Sequence, residues 1–192
     1  MKFDVILIGG GHSGLERGIA LQRAGRRCLI VCAGESPRRF VEPAWSQDAQ
    51  RRKFELVGGI YLMGDRVLGG DFAGNVLQSV RTEKHGTGCF EAGEFWLATG
   101  SFFSGGLVAT HDAVYEPVFG LDVDYSGGHS DWVDEDFFAE QPFMRFGVKV
   151  DGYGRVLRGG IPVENLFAVG SVVSRRQGMA PDRDSPETVS EN

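Results

Sequence analysis

The sequence predicts an α/β fold built on a largely parallel sheet, and three observations point there. Four short apolar runs, residues 3–8, 28–32, 95–98 and 166–169, read as strands buried on both faces. The first run ends in Gly9-Gly10-Gly11 and leads directly into helical spacing, so strand, glycine turn, helix and second strand form a βαβ unit. The length, 192 residues, allows one compact domain with an appendage.

The elements follow in order. Leu15, Ile19 and residues 21–24 carry the helical apolar spacing, and Gly25 is placed to stop that helix. Residues 37–53 are polar and irregular, with a short helix expected at 47–56 and a short strand at 59–65. Residues 67–72 and 75–82 read as strands joined by Ala73-Gly74, a hairpin signal, and a third strand at 89–91 completes an antiparallel meander. Residues 101–145 are loop-rich and acidic. A second hairpin is expected between 146–150 and 155–157, across Asp151-Gly152-Tyr153-Gly154. The reading is a single domain over 1–174, with its meander at about 65–92, followed by a loose polar tail at 175–192.

Composition narrows the function classes. Glycine supplies 29 of 192 residues with no three-residue period, which signals tight turns and close backbone approaches. Residues 1–100 carry 13 Lys/Arg against 11 Asp/Glu, and residues 101–192 carry 7 against 15. Between residues 107 and 144 there are nine acids and no Lys or Arg, which argues against a nucleic-acid surface. No apolar run is long enough to span a bilayer and the N-terminus shows no signal-peptide pattern. Three cysteines, 28, 32 and 89, make no disulfide framework, so a reducing, cytoplasmic setting is expected. Cys28 and Cys32 share one strand face and are expected to be structural. No His/Cys/Asp/Glu spacing recurs as a metal set, and Ser13 and Ser101 have no His/Asp arrangement of a hydrolase.

Chemistry concentrates at Gly9-x-Gly11-x-x-Gly14, placed after a strand and opening a helix. Gly9 permits the tight turn, Gly11 lets backbone amides approach a pyrophosphate, and Gly14 permits close helix–strand packing. The amides and dipole at the helix start would hold the phosphates. Gly10, His12 and Ser13 complete this candidate turn, and Gly18 and Gly25 are read as further points where the helix presses on the sheet. The acid expected to bind the ribose falls at Cys32 or Ala33, which carry no carboxylate; Cys32 holds that position, with Glu35 as the substitute acid. Arg38 is the candidate cation after the second strand, whereas Arg51, Arg52 and Lys53 read as a solvated run.

Two later motifs resemble those of flavoproteins. The strand ending in Thr99-Gly100 resembles the "ATG" strand of two-dinucleotide-binding flavoproteins, and Asn165-Leu-Phe-Ala-Val-Gly170-Ser171 resembles their terminal motif. That resemblance implies a Rossmann-type domain binding FAD, with FMN as the alternative, and adds Thr99, Gly100, Gly170, Ser171 and Val172 to the cofactor candidates. Ser171 stands where the family's ribityl-binding Asp is expected. No second glycine fingerprint exists, so no nicotinamide domain is expected.

A closer resemblance rests on Gly100-Ser-Phe-Phe-Ser-Gly-Gly-Leu107, Glu116-Pro-Val-Phe-Gly-Leu-Asp122, Asp136-Phe-Phe-Ala-x-Gln-Pro142 and Glu164 to Val172. These blocks look like the family formed by the B subunits of anaerobic glycerol-3-phosphate dehydrogenase. The resemblance implies oxidation of glycerol 3-phosphate to dihydroxyacetone phosphate, with electrons passed to quinone through an iron–sulfur partner at the inner membrane. A homodimer or a larger catalytic subunit is the expected partner. The family's long middle segment is compressed here into about residues 40–54, and its closing glycine-rich helix is missing, so no catalytic acid or base is named. A non-catalytic electron-relay subunit is the second expectation. The glycine turn also resembles GidA-type tRNA-modifying flavoproteins, against which the acidic second half speaks.

Overall fold

The structure, a computed structural model, describes residues 1–34 and 44–175, with backbone alone at 44–46 and 87–89. In chain order the first βαβ unit is β1 (Lys2–Ile8), α1 (His12–Arg23) and β2 (Cys28–Cys32). Then come α2 (Ala44–Leu56), β3 (Ile60–Met63), β4 (Val67–Ala73), β5 (Val76–Thr82) and β6 (Gly86–Leu97). The second half holds β7 (Val108–Ala109), β8 (Val114–Tyr115), β9 (Val123–Asp124), β10 (Gly147–Val148), β11 (Arg155–Arg158) and β12 (Ile161–Ala168). The main sheet runs β11-β12-β6-β1-β2-β3, and β5, with β4 beyond it, attaches to β6. The strands β12, β6, β1, β2 and β3 are mutually parallel; the first four carry the apolar runs that predict this, and β3 joins them at the edge.

One expectation about the sheet is corrected and another is narrowed. The meander's third strand and the later buried strand are one continuous element, β6. Its first half pairs antiparallel with β5 (Val80 opposite Phe90), and its second half pairs parallel with β1 (Ile8 opposite Leu97). Glu91 belongs to both registers, so Ala92 and Gly93 continue the extended backbone where a break was expected. The hairpin across Asp151 to Gly154 is present but short: the antiparallel bridge of Val150 with Val156 is framed by Asp151 N–H to Arg155 O at 2.9 Å and Leu157 N–H to Lys149 O at 3.0 Å. On their other sides the two segments have further partners: β10 pairs with β9, and β11 pairs with β12. The segment 101–145 is loop-rich as expected, with only two-residue strands and single 3₁₀ turns.

β1 is apolar on both faces because both are covered. Val5 and Leu7 pack with Leu15 of α1, Ile30 and Phe54 of α2. Ile6 and Ile8 pack on the opposite side with Leu29, Phe95 and Leu97, and with loop residues Leu107, Trp132 and Phe146. Burying a side chain such as the fully enclosed Leu15 is worth roughly 1.5–3 kcal/mol. Gly18 lets α1 sit down on this layer, since a β-carbon there would stand 3.0 Å from Ile30 Cδ1 and 3.1 Å from Phe54 Cε2. Gly25 does not press on the sheet. It is exposed with φ +82°, and the amides of Gly25 and Arg26 return to the carbonyls of Gln22 and Leu21, a Schellman stop. Cys28 and Cys32 are buried, and burial pushes the Cys28 thiol up to about 11, which keeps it protonated and inert.

The joint between β3 and β4 is pinned by Asp65. Its carboxylate, 1% exposed, accepts from the Lys84 amide at 3.0 Å and meets His85 Nδ1 at 2.7 Å. Burial alone would raise this carboxyl, but hydrogen bonds from Thr82, His85 and the Lys84 amide outweigh it and hold the group below its ordinary value. The stability it contributes is therefore present above about pH 4 and fades as pH falls through the lower folded value. Asp65→Asn should lower the melting temperature at pH 7. The gap between variant and parent should narrow on acidification below about pH 4. Thermal melts across pH 3–7 check this.

Candidate functional site

The first turn of the βαβ unit is set by backbone contact. Gly9 has φ +112°, and a β-carbon there would collide with the carbonyl of Ala98 at the end of β6. Gly14 passes over the carbonyl of Gly9, with no space for a side chain. Strand ends are held in register beyond the ladders: Gly9 N–H donates to Val31 O at 2.9 Å, Ala98 N–H to Ile8 O at 2.8 Å, and Val169 N–H to Leu97 O at 3.0 Å. The carboxyl ends of β1, β2, β6 and β12 thus meet at one edge, where parallel α/β sheets place their ligand crevice.

A cavity of about 730 Å³ opens there, a size suited to a cofactor. Ten predicted residues line it: Gly9 to Ser13, Cys32, Thr99, Gly100, Gly170 and Ser171. Gly14 and Val172 are buried beside it rather than on its wall. Glu35 and Arg38 lie outside the described residues. Gly170 closes against Ser13, whose Oγ would stand 2.6 Å from a β-carbon at that glycine.

The start of α1 is built for an anion. Gly11 caps the helix with no side-chain hydrogen bond, and the first turn holds no acid. Its amides therefore lack a side-chain acceptor, and the helix dipole adds positive character there. A β-carbon on Gly11 would meet nothing within 4 Å, so the protein leaves open the space that a phosphate would fill. Thr99 Oγ1 is buried without a hydrogen-bond partner, an orphaned polar atom on the same wall. These features fit a dinucleotide.

Gly10 and His12 have defined local roles. The Gly10 carbonyl accepts from Gln47 Nε2 at 3.0 Å and from the Tyr61 hydroxyl at 3.2 Å. Burial pushes the Tyr61 hydroxyl above its ordinary value, which keeps it a donor. His12 engages Gln50 through Nδ1 at 3.0 Å and Glu16 through Nε2 at 3.0 Å, so both ring nitrogens are taken inside the protein.

The far wall comes from two loops. The Ser101 carbonyl accepts from the amides of Ser104 and Gly106, curling the Ser-Phe-Phe-Ser block so that Phe102 and Phe103 face the cavity. The buried Glu116 carboxylate accepts from the amides of Val118 and Phe119 at 2.8 Å each and from Leu121 at 3.5 Å. Burial pushes this carboxyl up, against the pull of those amides. The resulting turn sets Pro117 and Val118 on the wall. Sequence reasoning missed these two, along with Gln47, Arg66 and Leu68, because single residues in unpatterned segments carry no periodic signal. Phe102 and Phe103 belong to the Gly100–Leu107 block, which carries the resemblance but does not by itself mark a cavity wall.

His111 and His129 are exposed, their rings 5.7 Å apart, and no group of three metal-ligating side chains occurs among the described residues. Arg52 and Lys53 are exposed, as a solvated run would be, and Arg51 pairs with Glu55 at 3.3 Å.

The fold and the cavity define a dinucleotide-binding α/β protein of the Rossmann type. Residues 41–182 match the family described as FAD binding domain, and the chain belongs to that family. Its cofactor is FAD. The glycine turn at 9–14 stands just ahead of the matched stretch. The chain is similar to the B subunit of anaerobic glycerol-3-phosphate dehydrogenase from Yersinia pseudotuberculosis, at 42% identity over 125 residues, 65% of this chain and 30% of that one. The corresponding protein of Vibrio cholerae (strain O395) is 39% identical over 130 residues, and that of Aliivibrio fischeri 35% over 140, each covering 67% of this chain. The chain thus spans about 30% of the length of these curated relatives. Among solved structures, an oxidoreductase from Agrobacterium tumefaciens aligns with 52% of this chain and 37% of its own, at 30% identity and a TM-score of 0.45.

Gly11→Val should abolish FAD uptake while leaving the melting temperature of the flavin-free protein within a few degrees, because its side chain enters open space. Flavin titration and thermal melts read the two effects separately.

Proposed function

We propose that the chain is the flavin-holding part of a redox enzyme that oxidises glycerol 3-phosphate to dihydroxyacetone phosphate in company with a partner subunit. The observation that carries this is the similarity to the dehydrogenase B subunit across two thirds of the chain, coupled with a cavity lined by the same motifs. FAD, when bound, supplies the acceptor for the two electrons that leave the alcohol carbon. The chain's own residues bind and orient: the amides opening α1 take the pyrophosphate, Ser171 and Gly170 take the ribityl chain, and Thr99 offers its unpaired hydroxyl. Phe102, Phe103, Leu68 and Val118 supply an apolar wall that excludes water.

The domain reading of residues 1–174 remains our proposal, as does the partner, an iron–sulfur subunit in preference to a second copy. Membrane association would come through that partner, since no described helix is long and apolar enough to cross a bilayer. A second reading, an electron-relay subunit without turnover, is favoured by one observation. Among the described residues the cavity wall offers only His12, Cys32 and Arg66 as ionisable groups, and His12 is already engaged.

Anaerobic addition of glycerol 3-phosphate to the FAD-loaded chain decides between the two. Bleaching of the flavin absorbance is the expected result for a dehydrogenase; an unchanged spectrum, with reduction restored on adding the partner's reduced redox centre, would show a relay. NADH should bleach the flavin slowly or not at all, because only one dinucleotide fingerprint exists.

A further inference from the structure

Arg66 is a cation on the cavity wall with no ion-pair partner among the described residues. Its neighbour Asp65 forms no ion pair with it and does not line the cavity: that buried carboxylate engages the Lys84 amide and His85. The joint that carries Arg66 is fastened to the end of β2: the amides of Gly64 and Asp65 both donate to the carbonyl of Cys32, at 2.8 and 3.2 Å. Arg66 therefore stands beside the strand end where Rossmann sites carry a carboxylate for the ribose hydroxyls. Here Cys32 and Ala33 occupy that strand end, and no described acid lines the cavity.

A cation at this place has a chemical consequence. A carboxylate at this position accepts from the ribose 2′-hydroxyl and repels a 2′-phosphate. A guanidinium donates to ribose oxygens and pairs with a phosphate through two parallel hydrogen bonds. We propose that Arg66 reads the ribose of the bound dinucleotide, so that the adenosine end of the cavity accepts negative charge on that sugar instead of excluding it. This rests on the flavin reading only for the direction in which the dinucleotide lies.

The test uses the flavin-free full chain and two probes that differ by one phosphate, adenosine 5′-monophosphate and adenosine 2′,5′-bisphosphate, titrated by calorimetry. The parent should bind the bisphosphate about tenfold or more tightly than the monophosphate, the scale of one charge-assisted pair. Arg66→Met, which keeps the apolar stem, should bring the two affinities within about twofold, and Arg66→Lys should retain part of the preference. The preference should shrink as salt is raised. Equal affinities in the parent, tighter binding of the monophosphate, or an unchanged ratio in a folded Arg66→Met variant would each overturn the assignment. A parent that refuses FAD yet shows the Arg66-dependent ratio would overturn the flavin reading and leave this assignment standing.

Discussion

The constraint on which the rest of the structure depends is the backbone crossing at Gly9. There the turn after β1 runs against the carbonyl of Ala98 on one side and under Gly14 of α1 on the other, with no space for a side chain at either glycine. That crossing aims the uncapped start of α1 into the cavity. It also sets how far apart the ends of β1 and β6 lie, and so where the Thr99-Gly100 turn begins. Gly170 repeats the device from the other side by closing on Ser13. Three strand ends are locked by contacts that tolerate no added atoms, whereas Gly11 on the cavity wall, like Gly34 and Gly105, has space around it. Tightness belongs to the scaffold and vacancy to the ligand.

β6 transmits this arrangement to the rest of the molecule. One strand is both the third strand of the meander and a central strand of the parallel sheet, so the meander cannot shift without moving the Thr99-Gly100 turn. Asn165 reinforces the coupling: its side-chain amide imitates a strand residue, accepting from Leu77 N–H at 2.9 Å and donating to Leu77 O at 2.8 Å and Gly93 O at 3.2 Å. On the helix side, Trp96 stacks on Phe167 at 5.0 Å and lies under the Arg17 guanidinium at 4.4 Å. An arginine there covers aromatic surface with its stem and its flat charged face.

Legibility in the sequence followed the range of the physical signal. Strands buried on both faces were readable because local composition alone sets them, and β2 was read to the residue. The glycine turn was readable because its geometry forbids side chains at fixed spacing. What escaped was decided by competition between partners. β10 is too short to dictate its own pairing and takes β9, so the hairpin is confined to residues 149–151 and 155–157. Ala92 and Gly93 look like a break, but β1, paired with Glu91, Ala92 and Glu94, holds them extended. Arg66 escaped for a related reason: no motif marks it, and the pairing of Met63 with Cys32, with the Gly64 and Asp65 amides donating to Cys32 O, brings it to the end of β2.

The acidic stretch reads differently once its hydrogen bonds are traced. Composition suggests a charged surface, yet many of its carboxylates, and Asp151 just beyond it, serve as acceptors for backbone amides that regular structure would otherwise satisfy. Glu116 takes three amides of its own turn. Asp122 takes Gly159 and Gly160, at 2.9 and 2.6 Å, and so ties the loops to the turn between β11 and β12. Asp134 takes Asp136, Asp136 takes Phe138, and Asp151 takes Tyr153 and Arg155. A segment with only two-residue strands keeps a defined path because short side-chain acceptors replace a ladder, which is why Asp and Glu are abundant there and lysine absent. The loop that walls the cavity is thus set by a buried carboxylate, and among the described residues the strand end beside Arg66 carries none. Negative charge is concentrated in the loops that shape the site and withheld from the described surface that an anionic cofactor would touch.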